Sequence, residues 1–270
     1  MENYAGYTEE SKRMNPTSEK KSRYGMVIDI DRCNGCGACM IACAVENNVP
    51  PARYKTTQST GITWLRVASF SNGKSFPENE TVFAPIMCQQ CEVETPCVTV
   101  CPQNAVEVDA ATGIVGQIPQ RCLGCRYCMA ACPYHARYFN WWDPEWPEGM
   151  DQLLNPDVAP RMRGVVEKCN FCHGRLHLAK AKAALQGKQD IDPADYIPAC
   201  AEACPAKAIV FGDLADESSQ VAQLSRAKDT FRFLSRLGTE PKVFFHSAKQ
   251  WVHEIADRTL TRSKKEVSTT

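Results

Sequence analysis

The chain has no run of 18 apolar residues, so no segment is long enough to cross a bilayer as a helix. It has no charge excess: Lys plus Arg and Asp plus Glu stand at 31 each in 270 residues. That balance removes the electrostatic footprint of a nucleic-acid binder, so no nucleic-acid partner is expected. The first 24 residues are polar, with Glu2, Glu9, Glu10, Lys12 and Arg13, and lack the apolar core of a secretory signal. On its own this points to the cytoplasm; export in a folded state beside a signal-bearing partner stays open. No catalytic base, nucleophile or substrate pocket can be picked out. The length suits two compact units or one two-lobed unit.

What the sequence has is cysteine, sixteen of them in four groups. The first group is Cys33, Cys36, Cys39 and Cys43. The third is Cys122, Cys125, Cys128 and Cys132, with Pro133 next. Both read Cys-x2-Cys-x2-Cys-x3-Cys, the ligand run of a bacterial two-cluster ferredoxin. Three thiolates two residues apart in a tight loop can reach three corners of one iron–sulfur cube. The fourth is expected to start a helix and point to a second cube. Gly35, Gly37 and Gly124 suit such loops, where positive φ and close backbone approach are needed. The second group (Cys88, Cys91, Cys97, Cys101, then Pro102) and the fourth (Cys169, Cys172, Cys200, Cys204, then Pro205) keep the first and last spacings. Each carries an insertion after its second cysteine. Arg32, Arg121 and Lys168 precede three of the groups. The whole is a fourfold internal repeat.

Other readings of the thiols are weaker. Zinc takes four thiolates and uses Cys-x2-Cys half-sites, but as two separated pairs. Disulfides suit exported proteins, but cysteines three apart rarely reach disulfide geometry. Free buried cysteines leave the period unexplained.

Cys101 and Cys122 are separated by one short hairpin, so groups two and three pair, and groups one and four close around them. Crossing the fourth ligands then gives four sites. Site one is Cys33, Cys36, Cys39 and Cys204. Site two is Cys169, Cys172, Cys200 and Cys43. Site three is Cys88, Cys91, Cys97 and Cys132. Site four is Cys122, Cys125, Cys128 and Cys101. The cofactors expected are four [4Fe-4S] clusters, one of which could be [3Fe-4S]. Four clusters at about −2 each would add about −8 to the neutral chain.

The fold class expected is α+β: two interleaved two-cluster ferredoxin modules with hairpin insertions and a C-terminal helical extension. Residues 1–23 form a polar arm, disordered or wrapped over a partner. Residues 24–86 and 164–212 form one module, with a hairpin insertion at 62–86 around Asn72-Gly73. Residues 87–163 form the other, with a hairpin around Thr112-Gly113 and an aromatic segment at 138–147. Strands are expected at 24–31, 164–168 and 207–211. A helix at 173–188 carries Arg175, Lys180, Lys182 and Lys188, a solvated basic face or a lid that docks on an acidic partner. His173 and His177, one turn apart on it, suit packing better than ligation. Tyr138, Phe139, Trp141, Trp142 and Trp146 either seal a cluster or meet a membrane subunit. Residues 213–270 are read as scaffold: one amphipathic helix at 217–237 (Val221, Leu224, Phe231, Leu234, Leu237) ended by Gly238, a short strand at 242–245 and a helix at 247–260.

Four motifs in this order, with insertions in the second and fourth, resemble the four-cluster iron–sulfur subunits of the complex iron–sulfur molybdoenzymes. The strings CNGCGACMIAC, CLGCRYCMAACPYHARYF and GVVEKCNFC are similar to that family's ligand loops, and the match spans about residues 24–245. Within the family the chain looks most like the menaquinone reductase (Qrc-type) subunits. The resemblance implies an electron-transfer subunit without catalysis of its own. Its implied partners are a molybdopterin-fold subunit, an integral membrane quinone-binding subunit and, as a further candidate, a multihaem cytochrome c. Site one would lie nearest the molybdopterin-fold partner and site four nearest the quinone. It also moves the expected location to the periplasmic face of the inner membrane, with export beside a partner. His135 and Arg137, just after Cys132, are expected to solvate a cluster or the surface, with proton delivery the alternative. A free polyferredoxin shuttle and a zinc-stapled structural module are the rival readings.

Overall fold

A computed structural model of the chain describes residues 22–51, 57 and 60–256. The arm expected at 1–23, except its last two residues, and the end of the helix expected at 247–260 lie outside them.

The elements are short and the sheets small. A four-stranded sheet holds β1 (Tyr24–Asp29), β8 (Ile209–Asp213), β9 (Thr230–Phe231) and β10 (Val243–His246) in the order β8-β1-β10-β9. β1 pairs antiparallel with β8 through Met26↔Phe211 and parallel with β10 through Met26↔Val243. The β1 side chains alternate between two covered faces. Met26 and Ile28 enter the main core with Phe233 and Phe245, while Val27 packs with Leu214, Val221 and Phe244. Burial on both faces is what a near-continuous apolar run predicts.

Three two-stranded hairpins complete the β structure: β2 (Arg66–Ser71) with β3 (Thr81–Ile86), β4 (Val106–Val108) with β5 (Val115–Gln117), and β6 (Tyr138–Phe139) with β7 (Val166–Glu167). The first two lie where Asn72-Gly73 and Thr112-Gly113 place them, with Gly73 and Gly113 both at positive φ.

The helices follow the cysteines. α1 (Ala38–Glu46), α2 (Pro96–Thr99), α3 (Tyr127–Ala131) and α5 (Ala199–Glu202) each contain the third cysteine of a group. The expectation that the fourth cysteine starts a helix is therefore corrected: the helix begins earlier, and Cys101, Cys132 and Cys204 lie at or just past its end. Pro102, Pro133 and Pro205 explain this, because proline disfavours helical backbone in the residue before it. Cys43 is followed by Ala44, and α1 runs on through it. α4 (His173–Leu185) fills the long insertion of the fourth group and buries Leu176, Ala179 and Ala183.

The single helix expected at 217–237 is not formed. The structure has α6 (Gln220–Ser225), then β9, then a 3-10 turn at Ser235–Leu237. Phe231, Leu234 and Leu237 fit a helical spacing, but strand pairing wins: Phe231 sits opposite Phe245, and Leu234 takes a left-handed φ of 55° that no helix can hold. Gly238, at φ 66°, ends the 3-10 turn. The expected helical extension thus lends two strands, β9 and β10, to the main sheet, and ends in α7 (Gln250–Ala256).

Candidate metal centres

Each cysteine group opens with the same backbone feature. The second residue after the first cysteine is left-handed in all four: Gly35 (φ 75°), Gln90 (φ 51°), Gly124 (φ 75°) and Phe171 (φ 55°). Gly124 has a second reason to be glycine, since a Cβ there would lie 2.4 Å from the Gly164 carbonyl oxygen. Gln90 and Phe171 carry the strain of a non-glycine residue, of order 1–2 kcal/mol each, and both are fully buried. Gln90 uses its side chain to tie group two to group four: its Oε1 accepts from Val115 N at 2.8 Å, and its Nε2 donates to Cys169 O at 3.0 Å.

The last cysteine of three groups shares a second feature, in Cys-Pro-x-x-Ala. Ala105 N donates to Cys101 Sγ at 3.2 Å and Ala208 N to Cys204 Sγ at 3.3 Å. The backbone of Ala136 stands in the same relation to Cys132. The residue before each alanine (Asn104, His135, Lys207) is left-handed, which turns the amide back onto the sulfur. In the first group Asn47 replaces that alanine. Its Nδ2 lies 3.9 Å from Cys43 Sγ and 3.8 Å from Cys172 Sγ. Asn47 and Gln90 were missed by reading the sequence; the signal was their departure from the residue type found at the matching repeat position.

The structure gathers the thiols as follows. Cys33, Cys36, Cys39 and Cys204 line a cavity of about 310 Å³, walled by Val67 and Pro85 of the β2–β3 hairpin. Cys101, Cys122, Cys125 and Cys128 line one of about 310 Å³. Cys88, Cys91, Cys97 and Cys132 line one of about 340 Å³, together with Arg137. Cys43, Cys169, Cys172 and Cys200 form the most deeply buried set, each within the electrostatic reach of others.

All sixteen cysteines are free of disulfides. Among the described residues no three His, Cys, Asp or Glu side chains converge closely enough for a single metal ion. A zinc site needs four sulfurs about 2.3 Å from one point, a convergence no thiol set among the described residues shows. Burial pushes the Cys39 thiol up to about 11 and the Cys91 and Cys169 thiols up to about 12, with neighbouring thiols of the same set adding to the rise. Cys43 and Cys200 are driven well above the ordinary range, again first by burial. Such thiols ionise only against a strongly cationic core, which is what iron supplies. Two buried cationic nitrogens, Lys242 Nζ and Arg137 Nη2, have no hydrogen-bond partner among the described residues, as beside an anion that has yet to be counted. The residues fit an iron–sulfur cluster at each site.

Residues 79–147 match the 4Fe-4S dicluster domain family. The chain is 49% identical over 253 residues to the menaquinone reductase iron-sulfur cluster-binding subunit of Nitratidesulfovibrio vulgaris, covering 93% of this chain and 99% of the relative. The chain belongs to the family of iron–sulfur subunits of respiratory oxidoreductases. An Hdr-like menaquinol oxidoreductase iron-sulfur subunit of Archaeoglobus fulgidus is 36% identical, with 84% of this chain and 84% of that one covered. The arsenate respiratory reductase iron-sulfur subunit ArrB of a Shewanella species is 33% identical over 83% of this chain and 95% of its own.

Around the thiols of this iron–sulfur subunit, other expectations resolve. Lys168 is buried, donating to the carbonyl oxygens of Val115 and Cys169, so it is a strut rather than a surface charge. The basic face expected on α4 is only partly solvated: Arg175 binds Glu46 at 2.8 Å and Glu202 at 2.6 Å, joining α4 to α1 and α5. The His173 and His177 rings meet edge to face at 4.3 Å, and burial lowers the affinity of His173 for a proton. Phe139 and Trp141 pack edge to face at 4.7 Å beneath the Arg126 guanidinium, beside the Cys122 loop.

Proposed function

We propose that this chain is the electron-transfer subunit of a membrane quinone-reducing complex of the menaquinone reductase type. It would hold one [4Fe-4S] cluster at each of sites one to four and have no catalysis of its own. The observation that carries the reading is the gathering of sixteen thiols into four sets of four. When bound, iron–sulfur clusters supply one-electron couples whose potentials respond to burial and to hydrogen bonds on sulfur. The protein's part is to fix the thiols on short loops, aim amides at sulfur and keep water away.

In this reading residues 24–86 with 164–212 form one ferredoxin module and 87–163 the other, and the described part of the C-terminal extension, 213–256, touches both through β10 and Pro241. Site one faces a molybdopterin-fold partner and site four an integral membrane quinone-binding partner; a multihaem cytochrome c is a further candidate donor. Surface access at both ends supports this order: Cys36 is exposed at site one, and Leu123 and Tyr127 are exposed beside site four. Among the described residues no helix is long and apolar enough to cross a membrane. We place the chain on the periplasmic face of the inner membrane, held there by its partners.

The test is Cys125→Ser in the intact complex. The signal of site four should change and quinone turnover should slow, while the other three signals persist. Unchanged spectra and unchanged turnover would overturn the assignment.

A further inference from the structure

Lys242 is fully buried, and its Nζ has no hydrogen-bond partner among the described residues. It belongs to a segment that crosses group two. Lys242 N donates to Gln89 O at 3.0 Å, Glu92 N donates to Thr239 O at 3.1 Å, and Pro241 bridges Cys91. Arg137 lines the cavity of the Cys88, Cys91, Cys97 and Cys132 site. It is 4% exposed; Nη1 donates to Gln117 Oε1 at 2.9 Å, and Nη2 has no partner among the described residues. The charges that face them are few. Lys242 feels Glu92, Arg23, Cys88 and Cys91; Arg137 feels Cys88, Cys97 and Cys128. Glu92 is itself engaged by the Arg23 guanidinium. Cys88 is common to both cations; Cys88, Cys91 and Cys97 belong to one site, Cys88, Cys91, Cys97 and Cys132, while Cys128, which Arg137 also reaches, belongs to site four.

The other sites are furnished differently. Arg32 and Arg126 are exposed, Lys168 is bound by two carbonyls and Arg175 by two carboxylates. An unpaired ammonium or guanidinium in the interior is strongly unfavourable unless an anion lies beside it. An iron–sulfur cluster with four thiolates is such an anion, and adding an electron makes it more so.

We propose that Lys242 and Arg137 are the charge-compensating residues of the Cys88–Cys91–Cys97–Cys132 site and make it the most readily reduced of the four. This rests on the reading of the thiols as cluster ligands. The couple concerned takes up one electron, from a neighbouring site in the complex or from dithionite in the assay, with no bond made or broken. The C-terminal segment is then more than scaffold: it delivers a cation to the electron path.

The experiment is a low-temperature EPR redox titration of the intact membrane-derived complex, with the signal of this site assigned through Cys91→Ser. Lys242→Met should lower that midpoint by at least a tenfold change in the one-electron equilibrium, about 59 mV, and leave the signals of sites one and two in place. Arg137→Gln should lower the midpoints of sites three and four together. Lys242→Arg, which keeps the charge, should hold the wild-type midpoint. An unmoved midpoint in Lys242→Met, or an equal displacement of all four signals, overturns the proposal. If Lys242→Met shows no signal at this site, its return in Lys242→Arg at the wild-type midpoint supports the proposal, and its absence from both overturns it. A wild-type complex without iron fails differently, by removing the ligand assignment itself.

Discussion

Gln90 shows how a single side chain can be both a local strain and a long-range tie. It stands where two other groups have glycine, in a left-handed conformation, and it spans two groups separated by nearly eighty residues of chain. Replacing it with leucine leaves the buried Val115 N–H without an acceptor, whereas Cys169 O keeps the Lys168 ammonium. A buried amide left unpaired costs about 1–3 kcal/mol. Gln90→Leu should therefore lower the unfolding free energy, read from the urea transition in visible cluster absorbance, by that amount, and an unchanged midpoint would show that the tie carries no stability. The spacing of the cysteines and the need for turning residues between them were legible because they follow from backbone sterics. The partner of Gln90 was not, because nothing local encodes a contact with Val115.

The elements divide along the same line. Hairpins β2–β3 and β4–β5 could be read from alternation and turn residues, since both are set within a few residues. The helix expected at 217–237 could not survive contact with β10, whose edge offers Thr230 and Phe231 a ladder. The same tail is pinned to the first hairpin by Glu80, which accepts from Lys249 Nζ at 2.9 Å and Trp251 Nε1 at 3.0 Å. These bonds hold the Glu80 carboxyl below its ordinary value. A depressed carboxylate adds stability above its unfolded pKa, about 4.3, and loses it as pH falls through the lower folded value. The Trp251 fluorescence, taken as wild type minus Trp251→Phe, should change at a midpoint below about 4.3. In Glu80→Gln that acid transition should vanish; its persistence would place the titrating group elsewhere.

At the scale of the molecule the thiols are part of the core. Cys39, Cys43, Cys88, Cys91, Cys169 and Cys200 share one buried cluster with Met26, Ile28, Phe233 and Phe245. Three thiol-lined cavities and a fourth buried thiol set lie in or beside this core, and short helices of four to nine residues have little stability of their own. Metal binding and folding should then be one event. Iron chelation under reducing conditions should collapse far-ultraviolet circular dichroism and open residues 24–246 to proteolysis throughout. A chelated chain that kept its native dichroism and cleaved only at its ends would show that the protein folds without its metal.

The sequence by itself determined the thiol loops and the hairpins beside them, while the helix expected to start at the fourth cysteine instead ends before Cys101, Cys132 and Cys204. Each depends on φ, ψ and hydrogen bonds confined to a few neighbouring residues. Only the tertiary structure decided that β10 joins β1 in parallel, that residues 230–231 become strand, and that Lys242 is buried on the segment that bridges Cys91. Those outcomes depend on which distant surfaces bury each other, and a buried charge takes its meaning from neighbours that spacing cannot reveal.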